Sequence, residues 1–582
     1  MNTRALNQKL QKRYGGQVFV REEPEALVVS GHLSRWEDIV DACGMCTVKT
    51  KALQGGKRAR IRHVVNDIVL DGAAPQPMRV PKLIDDALEG ARPDVLIIGG
   101  GISGVSIARE LTRWKLEVLL VDKEADLAGH ASGRNDGEVH PGVDLSKGSL
   151  KQHYVLLGNR LYPQICEELD VPFHRCGQYV GFVDGWAQPI AKLFAWQRRH
   201  LCGVSNTRIV GGKELHTAEP ELNPEFKFAM HNASAGCVCP YGLTIAYGEN
   251  AVHNGAKISL NTAVLDMEVA DGQIKSVRTN RGRIYPTLVI NAAGTFAEDV
   301  ARMAGDRFYS IHPRRGTNSI LDKKAGHLIR SISSIKRLKT TPGHTKGGGI
   351  LHTVHDNVLV GPDAVETPDK EDFATHRESV DRVFAKQKGT APGLDQRDII
   401  TYFTGVRAAT FEEDFIIEPG RRTRNLIHCA GIQSPGLTTA PAVAIDVAKM
   451  AVDALSKTRT VARNDAFNPR RKAPPRVREL PEAERDALIK QNPDYGVIIC
   501  RCEEISRGEI LDALNSPLPV ATVDGIKKRL RPGMGRCQGG FCMPLVAAII
   551  SEHEQLPLSK VRKAGEAAFL SFGVTKGEEA AP

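Results

Sequence analysis

Residues 94–122 read DVLIIGGGISGVSIARELTRWKLEVLLVD, which is an apolar strand, a glycine-rich turn, a helix and a second strand in direct succession. Gly99 permits the tight turn, Gly101 leaves room for a pyrophosphate beside the backbone, and Gly104 lets helix and strand pack closely. Asp122 ends the second strand, where its carboxylate can accept hydrogen bonds from a ribose hydroxyl. Because the free N–H groups of a helix N-terminus favour anions, the segment predicts a dinucleotide-binding fold.

Two later segments predict that the dinucleotide is FAD. Residues 425–431, NLIHCAG, read as a strand that ends in glycine, and residues 432–441 then open a helix over 442–455. A strand, a glycine and a helix at the far end of the domain suit the flavin, because the helix N-terminus stabilises negative charge on the reduced ring. Residues 288–294, LVINAAG, are typical of a third strand of the nucleotide domain.

Together these segments resemble the FAD-dependent oxidoreductases of the D-amino-acid oxidase and glycerol-3-phosphate dehydrogenase superfamily, over residues 94–455. The resemblance implies an α/β fold, in which a Rossmann-type FAD-binding domain carries an inserted antiparallel-sheet substrate domain. We expect non-covalent FAD, because no residue matches an obvious covalent attachment site. The residues assigned to FAD binding, those of the glycine-rich turn included, are Gly99, Gly101, Ser103, Gly104, Asp122, Ser132, Gly133, Arg134, Asn135, Gly294, Gly431, Gln433, Gly436 and Leu437.

Four cysteines towards the C-terminal end have the spacing of a metal site. Cys500 and Cys502 follow an apolar strand, and Cys537 and Cys542 form a second pair after an interval of 34 residues. Four thiolates in two close pairs suit a [2Fe-2S] cluster or a zinc ion. Zinc sites favour pairs of cysteines with two residues between them, and this unit has no such pair. The glycines within 533–540 leave room for backbone amides beside bridging sulfides, so we favour the cluster.

The strings CRCEEISRGEI at 500–510 and GIKKRLRPGMGRCQGGFC at 525–542 resemble the bacterioferritin-associated-ferredoxin type of [2Fe-2S] domain. The resemblance implies a cluster bound by all four cysteines. An alternative stays open, in which the cluster only holds this small unit together. In both cases metal ligation contributes to folding, because the unit is short of apolar residues.

The sequence divides into a small first unit, a large central domain and a small last unit. The first unit resembles the BON domain, an α/β module linked to membrane or partner attachment. Cys43 and Cys46 within it could form a redox or metal pair, although a lone pair of this kind on a helix is more often structural. The predicted segments are 10–75 (BON-like), 94–455 (oxidoreductase), 456–495 (basic, proline-rich linker), 496–556 (iron–sulfur) and 557–582 (tail).

The composition is that of a globular protein. Hydrophobic residues are 41% and charged residues 25% of the chain, and no apolar run of about 18 residues predicts a membrane span. The polar N-terminus predicts no secretory signal, so we expect a cytoplasmic protein, with a peripheral position on the inner membrane face as an option. The net charge of +10 is scattered, and prolines interrupt its densest run, which argues against a nucleic-acid partner. In a reducing compartment the 12 cysteines favour metal binding or burial over disulfides.

A flavin domain followed by this iron–sulfur unit resembles the large-subunit family of anaerobic glycerol-3-phosphate dehydrogenases. The strings CPYGLT at 239–244 and FTGVRA at 403–408 agree with it. The resemblance implies oxidation of a small anionic secondary alcohol, most directly sn-glycerol 3-phosphate, with hydride transfer to flavin N5. The electrons would pass through the cluster to a second flavoprotein or to another electron-accepting partner.

Four side chains are candidates for the substrate site. Arg407 is the first candidate for binding the anion, because a guanidinium matches phosphate or carboxylate in bidentate fashion and the family places an arginine over the flavin. Arg315, with Arg314, is the second, and a surface turn explains these two arginines equally well. His140 is the candidate base, because a neutral imidazole can take the hydroxyl proton. A structural histidine packed beside the flavin is the equal alternative.

Two other functions fit the same motifs. The chain could be a dehydrogenase of a 2-hydroxy acid, such as 2-hydroxyglutarate, or of an amino acid. It could also be an electron-transfer subunit whose flavin site has no substrate of its own. The BON-like unit, which the large-subunit family normally lacks, leaves the substrate and the partner open.

Overall fold

A six-stranded sheet at the centre of the computed structural model carries the glycine-rich turn. The model describes residues 3–47, 62–336 and 348–571. Five strands are parallel and the last edge strand is antiparallel. The inner strands are apolar and fully buried, as expected for a parallel sheet that is covered on both faces. From edge to edge the strands are Lys257–Ser259, Val118–Val121, Val95–Ile98, Leu288–Asn291, Leu426–Ala430 and Ile416–Pro419.

Helices cover both faces of this sheet. One face packs against Ile102–Leu111, Leu150–Glu168, Pro240–His253 and Gly436–Leu455. The other face packs against the helix Ala297–Met303 and a small antiparallel sheet, whose strands are Val264–Ala270, Gln273–Thr279 and Gly282–Ile284. Within the described ranges, no helix combines the length and the hydropathy that crossing a membrane requires.

A nine-stranded sheet forms the second layer of the central domain. It is antiparallel except where Ile332–Ile335 runs parallel to Gln178–Phe182. Its remaining strands are Thr207–Gly211, Phe228–Asn232, Ile311–Leu321, Gly349–His352, Val358–Gly361, Val365–Glu366 and Ile399–Thr410. The helices Gln188–Leu201, Gly212–Ala218 and Arg377–Gln387 lie against it. A further small sheet, of Glu138–Val139, Gly236–Val238 and Phe173–His174, lies beside the six-stranded sheet.

The first unit is a three-stranded sheet with two helices. The helix Thr3–Tyr14, which the sequence analysis does not predict, buries Leu6 and Leu10 against the sheet. The unit packs on the central domain, where Phe411 joins its apolar core. Its other elements are Val18–Glu22, Ala26–Leu33, Trp36–Met45 and His63–Leu70. Its likeness to the BON domain stays a prediction.

Cys43 and Cys46 are both buried in this unit. Burial raises the pKa of the Cys43 thiol well above its ordinary value and that of Cys46 to about 12. Both thiols are therefore neutral at physiological pH, which favours a structural role for the pair.

The basic linker lies on the central domain rather than in solvent. Arg471 binds the buried carboxylate of Glu249 at 2.5 Å and donates to the carbonyl oxygen of Leu169. Arg476 reaches Asp170 at 3.3 Å. The run therefore supplies counter-charges for carboxylates on the central domain, a pairing that the linear sequence does not reveal.

The last unit has its own apolar core, larger than its composition led us to expect. Its strands are Ile498–Cys500 and Ile505–Ser506, and its helices, with the preceding linker helix, are Glu482–Gln491, Arg507–Leu514, Val523–Leu530 and Met543–His553. The start of the predicted tail belongs to this core, because Val561 is buried in it. Residues 572–582 lie outside the described residues.

A buried carboxylate marks the boundary between the last unit and the central domain. Glu503, next to Cys502 in the chain, is almost completely buried. Its Oε2 lies 3.1 Å from Arg531, 3.3 Å from Lys323 and 3.6 Å from Arg478. Arg531 also donates to the hydroxyl of Tyr241 in the central domain. Glu503 and Arg531 of the last unit thus contact Lys323 and Tyr241 of the central domain, so charged and polar contacts cross the boundary.

Candidate active site and cluster site

A cavity runs along the carboxyl ends of the central parallel strands, where ligands bind in open α/β sheets. It extends from the glycine-rich turn to the N-terminus of the helix Gly436–Leu455. The residues assigned to FAD that line it are Gly99, Gly101, Ser103, Asp122, Ser132, Arg134, Asn135, Gly294, Gln433, Gly436 and Leu437. The remaining three are not among its lining residues, and they shape the backbone: a Cβ would lie 1.9 Å from the oxygen of Gly99 at Gly104, 2.2 Å from that of Ala128 at Gly133, and 2.7 Å from Cγ2 of Thr410 at Gly431.

The glycine-rich turn is built for a close backbone approach. Gly99 has a φ of +115°, which only glycine adopts readily. A Cβ on Gly101 would lie 2.9 Å from Oγ of Ser132, at the mouth of the helix. That same Oγ accepts a hydrogen bond from Ile102 N at 2.8 Å. The helix N-terminus therefore faces the cavity with room for an oxyanion, as a pyrophosphate needs.

Asp122 holds the turn as well as facing the cavity. Its carboxylate accepts hydrogen bonds from the backbone N–H of Gly100 and of Glu124. Burial raises the pKa of Asp122, and these N–H groups oppose the shift. The carboxylate is thus positioned at the end of its strand for a ribose hydroxyl.

A charged cluster beside Asp122 escaped the sequence analysis. Lys123, Glu124 and His130 line the cavity. Lys123 Nζ lies 2.8 Å from Glu124 and 2.5 Å from Glu371, and Arg79 reaches Glu124 at 2.5 Å. Although burial opposes it, the hydrogen bonds from His130 and Arg79 lower the pKa of Glu124. Lys123 and Arg79 thus balance the carboxylates of Glu124 and Glu371. The connector that carries Arg79 also reaches the adenosine end of the cavity, where Met78 is a lining residue.

The loop after the second strand supports this end through its own backbone. The side-chain amide of Asn135 donates to the carbonyl oxygens of Ala131 and Ser132. Arg134 lies over the ring of Phe373, with its Cζ 4.3 Å from the ring centroid, and donates to the carbonyl oxygen of Gly129. Asn135 therefore fixes the loop that presents Ser132, and Arg134 closes the loop against a neighbouring segment.

Arg407 lies at the other end of the cavity, on the long strand Ile399–Thr410. Its guanidinium donates to the carbonyl oxygens of Asp363 at 3.1 Å and Arg315 at 3.4 Å. In the part of the chain that the structure describes, no carboxylate lies within ion-pair distance of it. Burial lowers the pKa of Arg407, with the charge of Asp136 opposing the shift. The half-buried guanidinium is therefore open to an anion in the cavity.

A pair of glycines makes room for this arginine. Gly316 and Gly405 face each other on the two paired strands and both line the cavity. A Cβ on Gly316 would lie 2.4 Å from Nη2 of Arg407, and one on Gly405 would lie 2.2 Å from the oxygen of Arg134. The glycines therefore let the guanidinium and the FAD loop both approach the sheet.

Arg315 is not brought to the cavity. Its side chain binds Asp372 at 2.9 Å, and only its carbonyl oxygen contacts Arg407. Arg314 is also engaged, with Glu366 at 2.5 Å and Glu413 at 2.6 Å. Of the three arginines, Arg407 alone lines the cavity. The sequence does not reveal this difference, because it depends on the pairing of two strands that are distant in the chain.

His140 lines the cavity in contact with a buried acid. Its Nδ1 lies 3.3 Å from Oε1 of Glu138, and its Nε2 lies 3.5 Å from Oγ of Ser434. Burial raises the pKa of Glu138 to about 7, although His140 opposes the shift. Gln178 donates to the same carboxyl oxygen. An imidazole with an acid at one nitrogen and a cavity at the other has the arrangement of an oriented general base. Glu138, two residues before His140 in the chain, is the part of this site that the sequence analysis missed.

The four cysteines meet at one end of the last unit. The sulfurs of Cys502 and Cys537 lie 3.8 Å apart, and those of Cys500 and Cys542 contact each other. The four sulfurs do not converge on one point. Within the described ranges, the group of three or more His, Cys, Asp or Glu side chains whose ligand atoms all lie within 4.8 Å of one another consists of Glu124, His130 and Glu371, and it includes no cysteine. A tetrahedral zinc ion needs one centre about 2.3 Å from every sulfur, so two sulfur pairs fit a two-iron cluster better.

The backbone around Cys537 is shaped for a cluster. Burial opposes ionisation, but backbone N–H groups of Phe541, Gly539 and Gly540 lower the pKa of the Cys537 thiol. A Cβ on Gly535 would lie 2.3 Å from Cβ of Cys502. The glycines therefore do what the sequence analysis expects of them, which is to bring amides and neighbouring backbone close to the sulfurs.

Comparison with known proteins agrees with both sites. The family model described as FAD dependent oxidoreductase matches residues 94–450, more than half of the chain. The chain belongs to this family. The model described as BFD-like [2Fe-2S] binding domain matches residues 498–552. The predictions of FAD, of a [2Fe-2S] cluster and of a Rossmann-type α/β domain are therefore confirmed.

Three relatives show how far the similarity extends. Over 487 residues the chain is 36% identical to glycerol 3-phosphate dehydrogenase of Caloramator mitchellensis, covering 83% of this chain and 99% of that protein. It is 24% identical over 499 residues to a subunit of the anaerobic glycerol-3-phosphate dehydrogenase of Escherichia coli, covering 78% and 88%. The FAD-bound, dithionite-reduced L-alpha-glycerophosphate oxidase of Mycoplasma pneumoniae superposes with a TM-score of 0.60 and 25% identity, covering 66% of this chain and 99% of that chain.

The turn geometry predicts the effect of one added methyl group. Gly104→Ala places Cβ 1.9 Å from the oxygen of Gly99, so the turn must open. We expect at least a ~10-fold loss of FAD affinity, since a distortion of about 1.4 kcal/mol already has that effect. The measurement is FAD released on dilution, followed by fluorescence. Gly44→Ala is the control, because nothing lies within 4 Å of that Cβ. Full FAD retention in Gly104→Ala would contradict the proposed close packing.

Proposed function

We propose that the protein oxidises sn-glycerol 3-phosphate to dihydroxyacetone phosphate and passes the electrons on through its iron–sulfur unit. The observation that carries the proposal is the guanidinium of the half-buried Arg407, which lines the cavity and donates hydrogen bonds only to carbonyl oxygens among the described residues. A partly desolvated cation attracts an anion more strongly than an exposed cation does, because water screens it less, so the cavity favours an anionic substrate. The names of the Caloramator and Escherichia coli relatives support glycerol 3-phosphate as that substrate.

Oxidation of the alcohol requires a hydride acceptor and a proton acceptor. FAD held between the glycine-rich turn and the start of the helix Gly436–Leu455 would supply the first, as the acceptor of hydride from the carbinol carbon. His140 supplies the second, since its Nε2 faces the cavity beside Ser434. Ionised Glu138 accepts the Nδ1–H of His140, which fixes the tautomer and stabilises the imidazolium that forms. Arg407 holds the anionic group of the substrate and so orients the hydroxyl-bearing carbon.

A 2-hydroxy acid or an amino acid is the alternative substrate class. The guanidinium of Arg407 matches a carboxylate as well as a phosphate, so this contact does not separate the classes. Anaerobic mixing with glycerol 3-phosphate, L-2-hydroxyglutarate and amino acids decides between them. Bleaching of the flavin absorbance by glycerol 3-phosphate alone supports the proposal, and bleaching only by another compound replaces it. Bleaching by none of them supports an electron-transfer subunit.

We also infer the route by which electrons leave. Cys502 is exposed, so the cluster site meets solvent through one of its ligands. The Escherichia coli relative carries the name of a subunit, which supports a second polypeptide, such as a flavoprotein, in the role of acceptor. We propose that the protein is cytoplasmic, with a peripheral position on the inner face of the membrane as an option.

Two neighbouring arginines separate substrate binding from general stability. Arg407→Ala should lower kcat/KM for glycerol 3-phosphate about 100-fold, or about 2.7 kcal/mol, because charged hydrogen bonds to the substrate are lost. Arg315→Ala is the matched control, since that side chain pairs with Asp372 outside the cavity. The measurement is the rate of flavin reduction against substrate concentration. Equal effects of the two substitutions would remove Arg407 from the substrate site.

The acid beside His140 predicts a pH profile. Because the pKa of Glu138 is about 7, flavin reduction should accelerate as the pH rises through 7 and the carboxylate forms. Glu138→Gln should remove this rise and lower the rate at pH 8 by about 10²-fold, within the range for general-base catalysis. Glu138→Asp retains a carboxylate and should retain a rise. A Glu138→Gln profile identical to that of the wild type would exclude the pairing from catalysis.

The cluster should act after the flavin. Cys537→Ser should abolish the cluster absorbance, because a serine hydroxyl is a poor iron ligand, while glycerol 3-phosphate still reduces the flavin. Electron transfer from the reduced flavin to an added acceptor should then slow. Cys202→Ser, a buried cysteine in the substrate domain, is the control and should retain the cluster. Loss of flavin reduction in Cys537→Ser would show that the cluster is needed before that step.

A further inference from the structure

One helix of the substrate domain exposes an unusual amount of apolar surface. The helix Gln188–Leu201 and the turn before it present five large apolar side chains to solvent. Their exposed fractions are 61% for Trp186, 60% for Ile190, 67% for Leu193, 52% for Trp196 and 49% for Leu201. Two of the four tryptophans of the chain are among them. Single exposed apolar residues are common, but a contiguous group marks an interaction surface.

These five residues, which we call the outward face, lie on one side of the helix. The four on the helix recur at intervals of three to five residues, which places them in one stripe, and Trp186 in the preceding turn is exposed next to them in the chain. The opposite side is buried through Ala191 and Ala195, of which Ala191 packs in the apolar cluster that includes Phe182 and Phe228. The helix is therefore fixed to the sheet by Ala191, Ala195 and the partly buried Phe194, and its outward face is turned to solvent.

The charged residues of the helix itself are all basic. The helix contains Lys192, Arg198, Arg199 and His200, and no acidic residue. Lys192 and Arg199 are exposed at the border of the stripe. Arg198 lies over the ring of Phe194 and donates to the carbonyl oxygen of Leu145, so its charge is held at the side of the helix. An apolar stripe with tryptophans and a basic border is typical of a helix that lies in the interface of an anionic bilayer.

A second copy of the chain is the competing occupant. A helix of 14 residues is about 21 Å long and about 10 Å wide, which gives a footprint near 200 Å². A stable protein interface needs about 800 Å² from each partner, several times this footprint. Shallow insertion into lipid needs no such area, because each apolar side chain is buried by the acyl chains around it.

We propose that the outward face of the helix Gln188–Leu201 attaches the protein to the surface of an anionic lipid bilayer. The five apolar side chains enter the headgroup boundary, and Lys192 and Arg199 bind the lipid phosphates. This attachment rests on the peripheral location given under the proposed function and names the surface responsible. It does not depend on which substrate the cavity oxidises.

The test is co-sedimentation of the full chain, loaded with FAD and cluster, with two kinds of vesicle. One kind is phosphatidylcholine alone, and the other contains phosphatidylglycerol at roughly one lipid in three. We expect the wild type to sediment with the second kind, and the fluorescence of the tryptophans to shift to the blue. The triple variant Ile190→Ser, Leu193→Ser, Trp196→Ser should lose at least ~10-fold in binding. Lys192→Gln with Arg199→Gln should lose the preference for phosphatidylglycerol.

The matched control removes three exposed apolar side chains elsewhere. Phe19→Ser, Val69→Ser and Tyr402→Ser alter residues that are 51%, 52% and 58% exposed, and vesicle binding should persist. Wild-type protein that sediments with neither kind of vesicle would overturn the attachment. So would a dimer, detected by light scattering, that the triple variant dissociates while no vesicle is bound. Flavin bleaching by glycerol 3-phosphate without vesicles is recorded for each variant, so failure of the activity and failure of the attachment are distinguished.

Discussion

The structure depends on one close contact, between residue 104 and the carbonyl group of Gly99. Because no side chain fits between them, the first helix can start directly at the end of the first strand. Its free N–H groups then point along the carboxyl edge of the parallel sheet, where Asp122, Gly294 and the start of the Gly436 helix lie as well. A single elongated cavity with an anion site near one end follows from this contact. The connector before the first strand and the long strands of the second sheet both line the cavity at this edge.

The second sheet meets this edge through another pair of glycines. Gly316 and Gly405 lie opposite each other, and their lack of side chains admits both the guanidinium of Arg407 and the loop of Arg134. Polar groups gathered in so small a space must be balanced, and most of them are. Arg314 has Glu366 and Glu413, and Lys123 shares Glu124 and Glu371 with Arg79. Arg407 stands out because carbonyl oxygens are its partners. Among the described residues, no carboxylate forms an ion pair with Arg407, and this is why Arg407 is the residue proposed to contact the substrate.

The sequence predicts well those parts of the site that are contiguous in the chain. The glycine-rich turn and the cysteine pairs are local patterns, and their spacing carries the geometry. Prediction from the sequence fails where the partners of a side chain come from distant segments. The sequence does not distinguish Arg315 from Arg407. The register of two long strands directs the side chain of Arg315 to Asp372 and leaves that of Arg407 in the cavity. The role of Glu138 depends on burial, which no local pattern reports, and the adenosine-end cluster joins residues 79, 124 and 371. The helix Thr3–Tyr14 was missed because its core-facing positions are few and its composition is polar.

The carboxylate of Glu503 has a consequence for how the two redox sites communicate. A buried ion cluster adds little net stability, but it penalises every arrangement in which one member lacks a partner. Lys323 belongs to the central domain, whereas Arg478 and Arg531 belong to the segments around the cluster. A rotated or displaced iron–sulfur unit would separate them. These contacts hold the unit against the central domain, so the separation between the cavity and the cluster cysteines is fixed by packing rather than by a flexible tether.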